Sequence, residues 1–176
     1  MQAFQLDIQT IRQRARQQVA EGARTFTYAG DVQQVIELLN HALATELVCA
    51  LRYRRHYFTA SGLSSEPVAE EFLVHANEEL AHADRIAERI VQLGGSPDFS
   101  PDGLTTRSHA DYVAPDSLEA MIRENLVAER IAIDTYRELV RFIGDKDPTT
   151  RRMLEDILAV EEEHADELSD WLGRRG

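Results

Sequence analysis

The stretch NEELAHADRI at residues 77–86 returns in altered form as VEEEHADELS at residues 160–169. Both copies contain Glu-x-x-His followed by Ala-Asp, and both lie within long runs with the apolar period of a helix. A spacing of three residues places the Glu and the His of each copy on one helical face. A single Glu-x-x-His arises readily by chance, so the rest of the sequence must decide whether the repetition is functional.

Four long helices are predicted from helix caps and helix breakers. The first begins at Asp31 and stops at Ser61-Gly62, and the second begins at Ser65 and stops at Gly94-Gly95. The third begins at PDSLE (115–119, with Asp116 or Ser117 as cap) and stops at Gly144. The fourth begins at Pro148 and ends at Gly173. A short N-terminal helix ends near Gly22, and no segment reads as a strand. The link at residues 94–115 is rich in Gly, Pro, Ser and Asp and long enough to cross a bundle. We therefore expect an all-α, antiparallel four-helix bundle with a long crossover between its second and third helices.

Composition limits the classes of function. A chain of 176 residues suits one domain, and a net charge of −12 repels DNA and anionic membranes while it attracts cations. Cys49 is the single cysteine, which excludes an internal disulfide and a cysteine-rich metal site. No stretch approaches the roughly 20 apolar residues of a membrane span, and no signal peptide is evident. We expect a cytoplasmic protein without a membrane partner.

The first thirty residues differ from the rest in charge. We expect residues 1–30 to form a helical arm and residues 31–173 to form the bundle. The arm carries an excess of arginine, namely Arg12, Arg14, Arg16 and Arg24. Either this basic arm contacts nucleic acid or a neighbouring subunit, or its arginines are the solvated side of a helix that turns Ile11, Ala15 and Val19 inward.

Each long helix carries one Glu near the middle of its inward apolar stripe. These are Glu46, Glu79, Glu129 and Glu161, and His82 and His164 follow the second and fourth of them. Burying one unpaired carboxylate costs several kcal/mol, so four of them require cations. Four carboxylates, two neutral imidazoles and two divalent ions carry no net charge. The sequence therefore predicts a dinuclear metal site, with ligands that suit iron or manganese.

The two halves of the chain match each other. Glu46 precedes Glu79 by 33 residues, Glu129 precedes Glu161 by 32, and a tyrosine follows each first Glu after seven residues. This pattern indicates a duplicated helical hairpin. The two tyrosines, Tyr53 and Tyr136, either donate hydrogen bonds to ligand carboxylates or pack with their hydroxyls bonded elsewhere. The aspartates that follow the histidines, Asp84 and Asp166, are predicted to be solvated or interfacial.

The pattern of Glu46, EELAH (78–82), Glu129 and EEEH (161–164) resembles the ferritin-like superfamily over residues 31–172, and most of all bacterioferritin and Dps-like ferritins. The resemblance implies that Glu46 and His82 bind one iron, that Glu129 and His164 bind the other, and that Glu79 and Glu161 bridge them. It also implies oxidation of two Fe²⁺ by O₂ or H₂O₂ and storage of Fe³⁺ mineral in a hollow homo-oligomeric shell. The alternatives are a ferritin-like redox enzyme without storage, such as a peroxidase or manganese catalase, and a Dps-type protein that protects DNA.

The sequence departs from these relatives in three respects. Bacterioferritin holds haem through a Met directly after the bridging Glu of the second helix, but Leu80 stands there, so no haem is expected. The chain ends shortly after Gly173, without a fifth helix, which favours 12 subunits over 24. Dps-like ferritins with an in-bundle site commonly carry a Cys pair, and Cys49 alone is interpreted as a small core residue.

The remaining polar candidates are interpreted more simply. His75 and Asn125 each lie one turn before a predicted ligand, and we expect core polar residues that bond to a neighbouring helix. The alternative is a supporting or entry-route role. His41, His56 and His109 have no motif around them and are predicted to lie on the surface.

Overall fold

The computed structural model describes residues 4–62 and 65–173. In this part of the chain the secondary structure is entirely helical, which confirms the predicted all-α class. The helices are α1 (Ile8–Gln17), α2 (Val32–Thr59), α3 (Ser65–Gln92), α4 (Leu104–Arg107), α5 (Leu118–Ile143) and α6 (Pro148–Gly173), with a 3₁₀ turn at Val19–Glu21.

Local sequence explains where the long helices begin and end. The Asp31 side chain accepts a hydrogen bond from the Gln34 amide at 3.2 Å and caps α2. Ser117, rather than Asp116, caps α5 by accepting from the Ala120 amide at 3.2 Å. Gly144 ends α5 with φ of 51°, a conformation that glycine adopts without strain.

The four long helices form two hairpins. Helices α2 and α3 pack along each other, and so do α5 and α6; the hairpins meet through contacts of α2 with α5 and of α3 with α6. The connection between the hairpins runs over α2 and contains the short helix α4, which was not predicted. It is fixed to α2 by the Arg107 carbonyl at 2.8 Å from His41 Nδ1, and by the His109 amide, which donates to Thr45 Oγ1 at 2.9 Å.

The hydrophobic core has two large parts along the bundle, besides a small cluster of Cys49, Ala110 and Ala128. One part contains Leu39, Leu43, Ile86, Ile90, Leu154 and Ile157, and the other contains Tyr53, Phe72, Met121, Ile122 and Leu168. All four helices contribute to both parts. The stretch of each helix between the two apolar parts carries the predicted Glu or Glu-x-x-His. The apolar packing therefore holds four helices in register around one polar layer.

The N-terminal arm is mostly exposed. No side chain of α1 is buried, and Ile11 and Val19 are 48% and 81% exposed, so the interpretation that turned Ile11, Ala15 and Val19 inward is wrong for the isolated chain. The arm nevertheless contacts the bundle through Tyr28. Its ring packs against the core, and its hydroxyl donates to Asp147 Oδ2 at 3.0 Å.

Helix α2 is long and apolar enough to cross a membrane by length and composition, contrary to the expectation from the sequence. Its most apolar 18 residues have a mean hydropathy of 1.2, and 56% of them are buried inside the bundle. Its inward face also carries the buried polar residues Glu46, Arg52 and His56. The apolar character of α2 is therefore that of a helix in a protein core.

Candidate metal centre

The polar layer brings the six predicted ligands together. Each of the four helices supplies one buried Glu: Glu46 on α2, Glu79 on α3, Glu129 on α5 and Glu161 on α6. His82 and His164 are buried beside them. Because the helices cross this layer at mid-length, residues more than a hundred positions apart in sequence meet at one point.

The six side chains form two overlapping groups. Within each group the candidate ligand atoms lie within 4.8 Å of one another. The first group is Glu46, Glu79, His82 and Glu161, and the second is Glu79, Glu129, Glu161 and His164. Glu79 and Glu161 belong to both groups. The arrangement therefore offers two adjacent positions for a cation with two shared carboxylates between them.

Both imidazoles present Nδ1 to the centre. His82 Nδ1 lies 2.9 Å from Glu161 Oε1 and 3.3 Å from Glu46 Oε2. His164 Nδ1 lies 3.8 Å from both Glu79 Oε1 and Glu161 Oε2, while its Nε2 lies 2.8 Å from Glu78 Oε2. A neutral His164 that donates Nε2–H to Glu78 keeps a lone pair on Nδ1 for a metal.

Unsatisfied polar atoms test whether this centre fits metal ions. Each of the six side chains has at least one buried oxygen or nitrogen without a hydrogen-bond partner, and Glu161 has two. His82 Nδ1 and Glu161 Oε1 are among these atoms, because they lie 2.9 Å apart without the geometry of a hydrogen bond. An unpaired buried polar group costs about 1–3 kcal/mol, and more when it is charged. Such atoms rarely occur together in a stable core, but here they converge on one point. The donor set of carboxylate oxygens and imidazole nitrogens therefore fits two divalent ions.

The electrostatics of the centre lead to the same conclusion. Burial, together with the charge of the neighbouring carboxylates, raises the pKa of Glu79 and Glu161 well above the usual range. Burial alone would lower the pKa of His82, but the adjacent Glu46 and Glu79 carboxylates raise it to about 10. Glu79, Glu161 and His82 therefore bind protons strongly, because the concentrated negative charge needs positive charge beside it.

Two tyrosines support the carboxylates from the opposite hairpin. Tyr53 on α2 donates its hydroxyl proton to Glu129 Oε1, and Tyr136 on α5 donates to Glu46 Oε1. Burial and the adjacent carboxylates raise the pKa of both hydroxyls well above the ordinary value, so both keep their protons. Of the two interpretations of these tyrosines, the structure therefore supports hydrogen bonding to the candidate ligands.

Three polar residues near the centre were not identified from the sequence. Glu78 precedes the predicted ligand Glu79 and was not given a role, and its carboxylate contacts His164 of the neighbouring α6. His56 was predicted to lie on the surface, and that prediction is wrong, because it is fully buried with Nδ1 at 3.2 Å from Asn125 Oδ1. Arg52 is also buried and donates to the same oxygen at 3.0 Å. For Arg52 and His56, the signal available in the sequence was their spacing. Arg52 follows Cys49 by three residues and His56 follows Arg52 by four, so both continue the inward stripe of α2.

The other polar candidates lie largely where the sequence placed them. Asn125 and His75 are buried and bond to neighbouring helices, and Cys49 is a buried core residue whose pKa burial raises to about 12. Asp84 and Asp166 are exposed. His109 is exposed and stacks on the half-buried ring of His41.

The fold and this centre define a class of protein: a helical bundle of two hairpins with an internal carboxylate–histidine centre shared by all four helices. The ferritin-like domain of the Ferritin family matches residues 36–175. The chain therefore belongs to this family of diiron-carboxylate proteins, which confirms the resemblance to bacterioferritin and Dps-like ferritins.

The relatives of this chain include both bacterioferritins and DNA-binding proteins. A bacterioferritin of Desulfovibrio desulfuricans is 27% identical over 132 residues, which cover 74% of this chain and 70% of the relative. A nutrient stress-induced DNA-binding protein of Synechococcus is 31% identical over 144 residues, which cover 79% of this chain and 81% of the relative. Among solved structures, the dodecameric thioferritin of Bacteroides fragilis, described as a bacterioferritin-related protein, superposes with a TM-score of 0.80 at 34% identity, covering 83% of this chain and 88% of that one.

Proposed function

We propose that this protein is a ferroxidase that stores iron: it oxidises Fe²⁺ with O₂ or H₂O₂ inside the bundle and keeps the Fe³⁺ as a mineral in a homo-oligomeric shell. The observation that carries the proposal is the pair of overlapping Glu/His groups with their converging unsatisfied atoms. Membership of the ferritin family supports the same conclusion.

The proposed assignment gives each residue one task. Glu46 and His82 hold one Fe²⁺, Glu129 and His164 hold the other, and the shared carboxylates of Glu79 and Glu161 bridge the two. The membership of the two groups supports this division, because only Glu79 and Glu161 occur in both. Tyr53 and Tyr136 orient the terminal carboxylates by fixing one oxygen of each.

The chemistry follows from the ligands. Carboxylates are hard, negatively charged donors that stabilise Fe³⁺ relative to Fe²⁺, so they favour loss of an electron from each bound substrate ion. Two ions held side by side supply two electrons to one oxidant. Mn²⁺ suits the same ligands, so the identity of the ion must be measured.

Aerobic iron loading tests the storage function. Fe²⁺ is added in large excess, and the soluble iron that co-elutes with the protein is counted after gel filtration. The proposal predicts retention of hundreds of iron atoms per oligomer. Retention of only about two per subunit would instead indicate a redox enzyme without storage.

The assembly and its surroundings form part of the proposal. We propose a shell of 12 subunits in the cytoplasm, with residues 31–173 as the wall-forming bundle and residues 1–30 as an arm. The dodecameric state of the Bacteroides fragilis relative supports this number. The chain end on which the sequence-based expectation rested lies beyond the described residues.

Protection of DNA is the second candidate function. Arg12, Arg14 and Arg16 are exposed on α1, and the Synechococcus relative is a DNA-binding protein. Because the whole chain carries −12, any binding must come from the arm and weaken steeply with salt. A gel shift at low and physiological salt, with and without residues 1–30, tests this function. Absence of a shift at both salt concentrations excludes it.

A further proposal is that no haem binds at the position of Leu80, because an aliphatic side chain has no donor atom for iron. Reconstitution with haemin tests it. The expected result is the spectrum of free haemin, and a six-coordinate low-spin spectrum would contradict the proposal.

A further inference from the structure

A second group of ligand-type side chains lies beside the centre, where α3 and α6 contact each other. It consists of Glu71 and His75 on α3 and Glu167 on α6, with candidate ligand atoms within 4.8 Å of one another. His75 Nε2 lies 2.8 Å from Glu167 Oε2 and 3.5 Å from Glu71 Oε1. None of the three is among the six ligands proposed above.

The hydrogen bonds around His75 determine where its proton lies. Tyr53 has one hydroxyl proton and donates it to Glu129. The Tyr53 oxygen must therefore accept from His75, whose Nδ1 lies 3.2 Å away. A neutral imidazole has only one N–H, so Nε2 carries a lone pair. This lone pair points at two carboxylates, which is repulsive unless a positive charge lies between them.

The His75 side chain is enclosed by the bundle. The ring is completely buried and stacks on the ring of His164, with centroids 3.9 Å apart and planes 19° apart. In the described part of the chain, neither Glu71 nor Glu167 pairs with an Arg or Lys side chain. Among the described residues, no basic side chain other than His75 is therefore paired with these two carboxylates.

We propose that Glu71, His75 Nε2 and Glu167 form a third site for a divalent first-row transition ion. One imidazole nitrogen and two carboxylate oxygens suit Fe²⁺, Co²⁺ or Zn²⁺. The side chains of Glu71 and Glu167 are 31% and 41% exposed, so water completes the coordination sphere and the ion enters from solvent.

This outer site is connected to the buried centre. His75 joins the outer ion to Glu129 through the Tyr53 hydroxyl, and it stacks on His164. An ion in the outer site therefore holds Tyr53 in the orientation that supports Glu129. The site also provides a solvent-facing position next to the centre at which Fe²⁺ binds before it moves inward.

Anomalous diffraction from crystals soaked in Co²⁺ tests the proposal. The double variant Glu71→Gln/Glu167→Gln removes both oxygen ligands with little change of shape. Its control, Glu70→Gln/Glu163→Gln, removes two exposed charges on the same helices. We expect a cobalt peak between the three side chains in the wild type and the control, and its complete loss in the double variant, with unchanged peaks among the six inner residues.

The outcomes separate this site from the proposed function. A wild-type crystal without the outer peak overturns the third site, and the short contact of His75 with Glu167 is then a shared proton. An outer peak that survives in the double variant overturns it as well. Absence of peaks among the six inner residues counts against the dinuclear centre instead.

Discussion

At the scale of single residues, the centre depends on groups that fix one atom of a carboxylate and leave the other free. Tyr53 and Tyr136 each donate to a Glu of the opposite hairpin, and the second oxygens of Glu46 and Glu129 remain without a partner. Glu78 has the same relation to His164, since it contacts Nε2 while Nδ1 faces inward. Such contacts set the direction of a ligand lone pair before any ion arrives.

Replacing Tyr136 with Phe tests this role. The variant keeps the ring that packs in the core but removes the donor to Glu46, so we expect metal affinity to fall about 10-fold or more. The affinity is measured by anaerobic titration with Co²⁺, followed by its visible absorption. Tyr57→Phe, in a half-buried tyrosine on α2, is the matched control and should bind like the wild type. Equal affinity of Tyr136→Phe and Tyr57→Phe would contradict the role of the hydroxyl.

At the scale of helices, buried polar side chains join the elements around the centre. On α2, His56 and Arg52 both meet Asn125 of α5. At the start of α6, Asp147 accepts from the Thr150 amide at 2.9 Å and from Arg89 of α3 at 2.9 and 3.0 Å. These contacts fix the helices relative to one another on both sides of the polar layer.

The pH dependence of stability tests the burial of His56. Its burial and the nearby Arg52 lower its pKa from 6.5 to about 4. Between these values the unfolded chain binds a proton that the folded chain does not. The free energy of unfolding should therefore decrease as the pH falls from about 6.5 to 4, by up to ~1.4 kcal/mol per pH unit from this group.

Urea unfolding at fixed protein concentration measures this effect. His56→Gln retains a donor for Asn125 without titrating, so its stability should fall less steeply over the same pH range. The same slope in both proteins would show that His56 does not have the lowered pKa.

Asp147 provides a test of the contact between α3 and α6. Asp147→Ala leaves the Arg89 guanidinium buried without its partner and removes the cap of α6, so we expect a loss of about 3–5 kcal/mol of stability. Asp147→Asn keeps an acceptor for the Thr150 amide, so this variant should lose less stability than Asp147→Ala. Denaturant unfolding measures both, and a loss below about 1 kcal/mol in Asp147→Ala would contradict the account.

The helices and the convergence of the six polar residues were predictable, because caps, breakers and helical period are determined by residues close together in the sequence. Asp31, Gly144 and Pro148 are caps and breakers that act over a few residues, and the Glu at mid-stripe follows from helical period. Burial of His56 and the contact of Glu78 with His164 depend on which neighbouring helix lies opposite. A single sequence does not contain that information, so His56 was assigned to the surface and the contact of Glu78 with His164 was not predicted.

At the scale of the whole molecule, the exposed apolar side chains of the arm are consistent with the proposed assembly. Phe4, Leu6, Val19 and Phe26 are all more than half exposed, which is unusual for large apolar side chains so close together in sequence. With 12 subunits of 19.9 kDa, the native mass should be about 240 kDa. Light scattering after gel filtration measures it. A mass near 20 kDa would contradict a shell, and one about twice the predicted value would indicate 24 subunits.

The central claim is that the six buried side chains form one centre that oxidises two Fe²⁺ ions. Its most direct test is stopped-flow oxidation after stepwise anaerobic loading with Fe²⁺, in the wild type, in Glu129→Ala and in the exposed control Glu138→Ala. The account predicts a fast phase that saturates at two Fe²⁺ per subunit in the wild type and the control. That phase should be lost in Glu129→Ala while circular dichroism shows intact helices. An unchanged rate and stoichiometry in Glu129→Ala would contradict it.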